Sequence, residues 1–331
     1  MPPKDFGRQR MQPECCMSCD KKVTSDLRQK LTALSASEIQ SLLIEVYRER
    51  AALITSSSLS KAWRQDRFVQ SCAISPRDFI NLDSAAFDAA ADFVPLELSP
   101  VCPLGTNSAI AHVSQNKVLG TIRNTEVVAD STNVMALECA VRRRQLLKAN
   151  PKNASDVKFC ASHRLIRTQI FNFPGATAHF RVFSLCTAGR DTGSFEFEGK
   201  AMADHISVYI RLFQVLSNRG FRFGDISIGL YGGDTYLTSR LIDCLHKGME
   251  GIPIELLGNR GTAYYPTASF VLKIQNKNGE QVMIGDGGFT DWTQKLVQSS
   301  KERLMISGIG TDRLISQFKC DQERNSTHDN G

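Results

Sequence analysis

The chain lacks any run approaching the ~18 apolar residues of a membrane-spanning helix. Its N-terminus lacks the apolar segment of a secretory signal. The expected compartment is therefore the cytoplasm, with no membrane partner. No disulfide framework is visible either, because the 10 cysteines are scattered over 331 residues, where reduced thiols serve as small buried hydrophobes. Cys15, Cys16 and Cys19 cluster near the start, but no second ligand pair at similar spacing accompanies them, so no metal site is expected there. Charge of one sign is not in great excess: a net charge of +6 permits a phosphate-bearing ligand without requiring nucleic acid. No phosphate loop is present. Gly193 to Ala201 has one residue too many and ends on alanine where Ser or Thr would bind magnesium. There is no internal repeat, and no regular strand–helix alternation of the kind a doubly wound parallel sheet requires.

What remains is globular sequence. Hydrophobic residues make up 42% and charged residues 22%, enough for one large domain or two modest ones. Residues 1–24 and 321–331 are polar and aperiodic and read as disordered tails. From 25 to 82 the helical spacing of Leu27, Leu31, Leu34, Ile39, Leu43 and Val46 predicts a helical extension, with Ser37 and Gln40 fitting a capping box. Residues 83–320 read as the main domain. There the pattern predicts helices over 85–91, 132–147, 202–216 and 237–247, the second capped by Asp130 or Ser131. It predicts strands over 93–98, 226–230, 268–275 and 281–284, with strand propensity over 118–128. The β-rich runs 159–170 and 178–188, joined by Asn172 to Ala176, suggest an antiparallel pair. The fold class is α+β, built on an antiparallel sheet.

Five segments carry residues suited to anionic ligands. An arginine on the inner face of a strand grips phosphate or carboxylate bidentately, and Arg164-Leu-Ile-Arg-Thr-Gln169 followed by His179-Phe-Arg-Val-Phe183 places Arg167 and Arg181 in such positions. An amphipathic hairpin with exposed arginines is the alternative. In the last third come Arg260-Gly-Thr-Ala-Tyr-Tyr-Pro266, Gly285-Asp-Gly-Gly-Phe-Thr-Asp291 and Gly308-Ile-Gly-Thr-Asp-Arg-Leu314, where glycines allow close approach of backbone to a ligand or simply form turns. Upstream, Asp130 either caps a helix or receives a ligand ammonium.

Taken in order, these segments resemble the catalytic domain of histidyl-tRNA synthetase and its class II relatives, over about residues 84–317. Arg167 and Gln169 are similar to the Arg-x-Glu of motif 2, with glutamine in place of the glutamate. The resemblance puts Arg167 at the α-phosphate and substrate carboxylate, Arg181 at ATP and Phe183 on the adenine. Asp312 and Arg313 resemble motif 3, with Arg313 at the terminal phosphate. Arg260 to Pro266 resembles the family's Arg-Gly-Leu-Asp-Tyr-Tyr-Thr signature, so Arg260 inherits the role of electrostatic catalyst, and Ala263 stands where the family has aspartate. Tyr264, Tyr265, Gly287 and Gly288 fall in segments that shape the substrate pocket, and Asp130 stands where the family has the glutamate that receives the substrate ammonium. Phe93 to Pro100 resembles the dimer-forming motif 1. The family's histidine-reading Gln and Glu correspond to Leu185 and Gly189, which argues against histidine as substrate.

The resemblance implies an ATP- and Mg2+-dependent ligase. It would activate a carboxylic acid, an amino acid other than histidine, as an acyl-adenylate and pass it to a small amine acceptor to form an amide. The alternatives are a non-catalytic paralogue similar to the regulatory subunit of ATP phosphoribosyltransferase, and a tRNA-charging enzyme. The chain stops soon after the motif 3 segment, with no room for an anticodon-binding domain, so tRNA is disfavoured. A homodimer is the expected assembly.

Overall fold

A computed structural model describes residues 21–170, 177–260 and 264–320. The cysteine cluster at 15–19, the loop 172–176, Ala263 and the tails 1–20 and 321–331 lie outside the described residues. The chain forms two compact units, residues 1–55 with 122–124, and residues 56–121 with 125–331. Within the first, α1 (Lys21–Ala33) and α2 (Ala36–Ala52) are the regular elements. The capping box lies two residues earlier than the sequence suggested. The Ser35 amide donates to Glu38 Oε2 at 2.8 Å, while the Glu38 amide donates to Ser35 Oγ.

The second unit begins with α3 (Ser56–Gln65) and α4 (Pro76–Ala89). The expected boundary at 82/83 falls inside α4. Its Phe79, Leu82, Ala85 and Ala86 are buried in the main core, so this helix is part of the larger unit and not of an extension. Ser75 caps it and Pro76 occupies its first turn, where the missing amide hydrogen costs nothing. The expected strands 93–98 and 118–128 shorten to β1 (Val94–Pro95) and β3 (Thr125–Val127), and β3 pairs with a short strand the sequence pattern did not suggest, β2 (Val101–Pro103). Then follow α5 (Ser131–Ala149), β4 (Val157–Ile166), β5 (His179–Arg190), α6 (Glu196–Ser217), β6 (Ile226–Gly232), α7 (Thr235–Gly248) and β7 (Ile254–Leu256). The unit closes with β8 (Ala268–Gln275), β9 (Gln281–Thr290), α8 (Trp292–Val297), β10 (Glu302–Gly310) and α9 (Thr311–Phe318). Among the described residues no helix is long and apolar enough to cross a membrane.

Eight strands form one sheet in the order β1-β4-β5-β10-β9-β8-β6-β7, parallel only at its two outer pairs. The β4–β5 pair is antiparallel, as the sequence pattern predicts. The segment from Gly285 onward, expected as a glycine-rich turn, is strand instead. Gly287 and Gly288 lie within β9, and Gly308 within β10. Glycine is needed there for packing. A Cβ on Gly287 would stand 2.4 Å from Ser307 Cβ, and one on Gly288 would stand 2.5 Å from the Tyr265 ring.

Helices cover both faces of the sheet. Under one face, α4, α6, α7 and α9 build the larger core with Phe183, Leu185, Phe270, Met305 and Ile309. Over the other, α5 and α8 pack on Cys186, Ala188 and Ile306. A fully buried pair locks α5 to the sheet: Arg143 Nε donates to Glu302 Oε2 at 2.6 Å, and its other nitrogens reach the carbonyls of Asn153 and Ser155. Removing either partner would leave an uncompensated buried charge, at a cost of about 3–5 kcal/mol.

Candidate functional site

Strand parity decides which sequence-predicted residues share a site. Successive side chains of a strand point to opposite faces. On β5, Ser184 reaches Ser131 Oγ at the start of α5 at 2.6 Å, and Cys186 packs with α5. Phe183 and Leu185 therefore face the other way. Phe183 is fully buried in the α4–α6 core, edge-on to Phe87 with ring centroids 5.6 Å apart, and not in a nucleotide pocket. Arg181 shares that face. It pairs with Asp83 of α4 and sits over the Phe79 ring at 5.0 Å. The α5-side face of β5 presents Val182, Ser184 and Cys186, so the residues read as Leu185 and Gly189 from the sequence are not the ones that look toward α5.

A cavity of about 320 Å3 opens on the α5 side of the sheet. Asp130, Arg167, Gln169, Arg260, Tyr264 and Tyr265 of the sequence-predicted set line it, joined by Asp286, Asn107, Val113 and Lys117. The remaining predicted residues do not line it. The Asp312 carboxylate accepts from the Arg181 amide at 2.6 Å, and Arg313 Nη1 donates to the Met283 carbonyl at 2.8 Å. Gly288 lies beneath Tyr265, and a Cβ on Gly287 would point at Phe270 of the opposite core.

Two arginine–aspartate pairs dominate the pocket, and their bonding differs. Asp130 caps α5 through Oδ1, which accepts from the Thr132 amide at 3.0 Å and the Thr132 hydroxyl at 2.8 Å. Its Oδ2 accepts from Arg167 Nη2 and from the Tyr264 hydroxyl, each at 3.2 Å. The acceptor sites of this carboxylate are thereby filled. Arg167 also donates from Nε to the Ala129 carbonyl at 2.8 Å and lies over the Phe180 ring. Both readings of Asp130 thus apply in part: it is a helix cap, and it faces the pocket.

The second pair is open. Arg260 Nη2 donates to Asp286 Oδ2 at 2.9 Å, whereas its Nη1 is buried and has no hydrogen-bond partner among the described residues. The guanidinium is held between the rings of Tyr231 and Tyr265, 5.4 Å from each centroid. Burial pushes the Asp286 carboxyl above its ordinary value and outweighs the pull of Arg260; Asp130 pushes it up further and Arg167 opposes. Burial likewise raises the Tyr264 and Tyr265 hydroxyls, with Asp130 and Asp286 the next causes, so both stay protonated. Tyr264 is fixed edge-on between Tyr265 and Trp292.

Glu126 holds the near wall. Its buried carboxylate accepts from the amides of Gly105 and Asn107, the Asn107 side chain and Gln115, at 2.7–3.0 Å. Burial alone would raise this carboxyl, but the hydrogen bonds together hold it below its usual range. They fix the π-helical turn Thr106–Ile110, from which Asn107 reaches the pocket.

Sequence reading missed Asp286, Lys117, Asn107 and Glu126. Asp286 had a signal, as a lone carboxylate within a run of strand glycines. The others lie in irregular chain, where no periodicity marks a facing direction. For the ATP implied by the sequence resemblance, the described residues do not bring the assigned set together: Arg167 and Gln169 line the pocket, but Arg181 and Phe183 face the opposite core, and Asp312 and Arg313 bond elsewhere. Nor, among the described residues, do three or more His, Cys, Asp or Glu side chains gather to hold a metal ion.

The fold, a large mostly antiparallel sheet flanked by helices, is similar to that of solved histidyl-tRNA synthetases. Similar solved structures include the Staphylococcus aureus histidyl-tRNA synthetase, at TM-score 0.54 and 14% identity, covering 77% of this chain and 71% of that one. An ATP phosphoribosyltransferase regulatory subunit/histidyl-tRNA synthetase from Bacillus halodurans is similar at TM-score 0.52 and 11% identity, covering 72% and 78%. The RNA binding domain of Cryptosporidium parvum threonyl-tRNA synthetase matches at TM-score 0.54 and 9% identity, covering 73% of this chain, which spans only 62% of that one. No family model and no curated protein sequence matches the chain.

Proposed function

We propose that this chain recognises a small amino acid in the pocket and acts as a ligand-binding member of the fold, close in kind to a regulatory subunit. The observation that carries this reading is the open bonding capacity of one ion pair. Arg260 Nη1 is buried and unbonded, and Asp286 beside it uses only Oδ2 for the arginine. An amino acid presents a carboxylate to the first and an ammonium to the second. A buried donor without a partner costs about 1–3 kcal/mol, which the ligand carboxylate relieves. A cavity of about 320 Å3 suits a ligand of this size. The regulatory reading is favoured by four of the residues assigned to ATP: Arg181 and Phe183 are engaged in the opposite core, and Asp312 and Arg313 in backbone contacts, while Arg167 and Gln169 remain in the pocket.

An adenylate-forming ligase, using ATP and magnesium to join the acid to a small amine, is the second reading. It is supported by Arg167 and Arg260 sharing one pocket. A tRNA-charging role has no observation of its own in favour. The homodimer is part of the proposal through the resemblance alone, and sedimentation checks it.

The deciding experiment pairs titration calorimetry over the standard amino acids with ATP–pyrophosphate exchange in the presence of magnesium. Binding without exchange supports the proposed role. Exchange dependent on one acid would replace it with the ligase. Absence of binding by every amino acid would sink the pocket assignment.

A further inference from the structure

The polar groups lining the pocket do not balance in charge, and the imbalance bears on what the amino acid's side chain must be. Asp130 neutralises Arg167, and Asp286 neutralises Arg260. A zwitterionic backbone added to the second pair leaves that balance unchanged. Lys117 is then an uncompensated cation on the pocket wall. Among the described residues its ammonium has neither an ion pair nor a hydrogen bond.

Lys117 is held in place by its backbone. It ends a 3-10 turn, Gln115–Lys117, started by Ser114, whose hydroxyl accepts from the Asn116 amide. The Asn116 carbonyl accepts from the Thr168 hydroxyl at 2.6 Å, and the Lys117 carbonyl accepts from the Thr168 amide. This ties the turn to the residue between Arg167 and Gln169, both of which line the same cavity. The other polar group on that wall is already engaged. Asn107 donates from Nδ2 to Glu126 and accepts at Oδ1 from Asn133 Nδ2 at 2.8 Å. Val113 is apolar. Lys117 is thus the charged group on this wall that is left to read a ligand, and Gln169 lines the same cavity.

From this we infer that the amino acid bound here carries an acidic side chain, with Lys117 as the residue that selects it. The inference rests on the proposed amino-acid site: Arg260 and Asp286 hold the backbone groups, and the side-chain carboxylate pairs with the Lys117 ammonium. A neutral side chain leaves the excess positive charge uncompensated, and a basic one adds to it.

The test measures affinities of the full chain for glutamate, aspartate, glutamine, asparagine and lysine by calorimetry, in wild type, Lys117→Met and Lys117→Glu. A charge-assisted hydrogen bond predicts acidic over amide ligands by about tenfold or more. Lys117→Met is expected to erase that preference by lowering the affinity for glutamate and aspartate toward that for the amide ligands, because the charged partner of the side-chain carboxylate is gone. Lys117→Glu is expected to invert it. Amide ligands binding as well as acidic ones, or a preference that survives Lys117→Met, would overturn the acidic side chain and leave the amino-acid site standing. Failure of every amino acid to bind wild type would remove the site itself, and this inference with it.

Discussion

Arg260 bonds Asp286 through Nη2 at 2.9 Å and keeps Nη1 buried and unbonded, so half of its bidentate fork is made and half is open. Arg260→Ala is expected to lower amino-acid affinity by about tenfold to a hundredfold, the value of a charge-assisted hydrogen bond. Arg260→Lys recovers little, because a compact ammonium lacks the rigid planar fork that presents Nη1 and Nη2 to two acceptors. Calorimetry measures the loss, and an unchanged circular dichroism spectrum shows that the fold survives.

The same pair predicts a pH dependence. Burial raises the Asp286 carboxyl above its ordinary value of 3.8, so it takes up a proton at a higher pH than a solvated aspartate. The ionised form receives the ligand ammonium. Affinity therefore falls as pH drops through the raised value, before ordinary carboxylates titrate. Asp286→Asn should weaken binding at neutral pH and flatten this profile; a fall that persists in the variant would assign it to another group.

Glu126 tests whether the near wall is built by one carboxylate. With four donors aimed at it, Glu126→Gln turns an amide donor toward them and is expected to cost about 1–3 kcal/mol. Because its folded value is depressed, its contribution is present above the ordinary 4.5 and is lost as pH falls through the lower, folded value. Thermal melts of the two proteins across acid pH should converge as that range is crossed.

His205 sets a second acid limit. It is fully buried between the hydroxyls of Thr187 at 2.9 Å and Ser307 at 2.8 Å, and burial lowers its value from 6.5 to about 3. The unfolded chain takes up this proton below pH 6.5 and the folded chain does not, so stability declines as pH falls from there to about 3. At full extent the effect is on the order of 4–5 kcal/mol. Urea titrations of wild type and His205→Gln at pH 7 and pH 4 check it, the variant showing the smaller difference.

Gly288→Ala places a methyl 2.5 Å from the Tyr265 ring and 2.8 Å from the Ala268 carbonyl. The ring turns aside more readily than the backbone, so the expected result is a distorted pocket, with lost ligand affinity and a stability cost of about 1–3 kcal/mol. Gly287→Ala lies one residue away on the other face, and is expected to cost stability without the selective loss of affinity.

Much of the site's chemistry was legible. Arg167 stands out in the sequence within a β-rich run and Arg260 at the head of its Arg-Gly-Thr-Ala-Tyr-Tyr segment, and both reach the pocket. Asp130 was legible as a cap because a short polar acceptor stands just before a helical pattern. Phe183 and Arg181 were misread by one strand position. The alternation Phe183-Ser-Leu185-Cys186 contains the correction, since the bulkier apolar pair belongs under α6. Lys117 and Asn107 had no such pattern to be read from.

The sequence by itself determined the α+β class, the β4–β5 pair, the helices α5, α6 and α7, and the order in which the arginine- and glycine-bearing segments arrive. These follow from local spacing, which a chain carries along its length. Only the tertiary structure decided which face of each strand meets the cavity, that α4 belongs to the main core, and which carboxylate answers which arginine. Asp130 and Arg167 are 37 residues apart, and Arg260 and Asp286 are 26 apart. Such pairings are set by strand register and by the burial of whole apolar faces, and neither is encoded in any one segment.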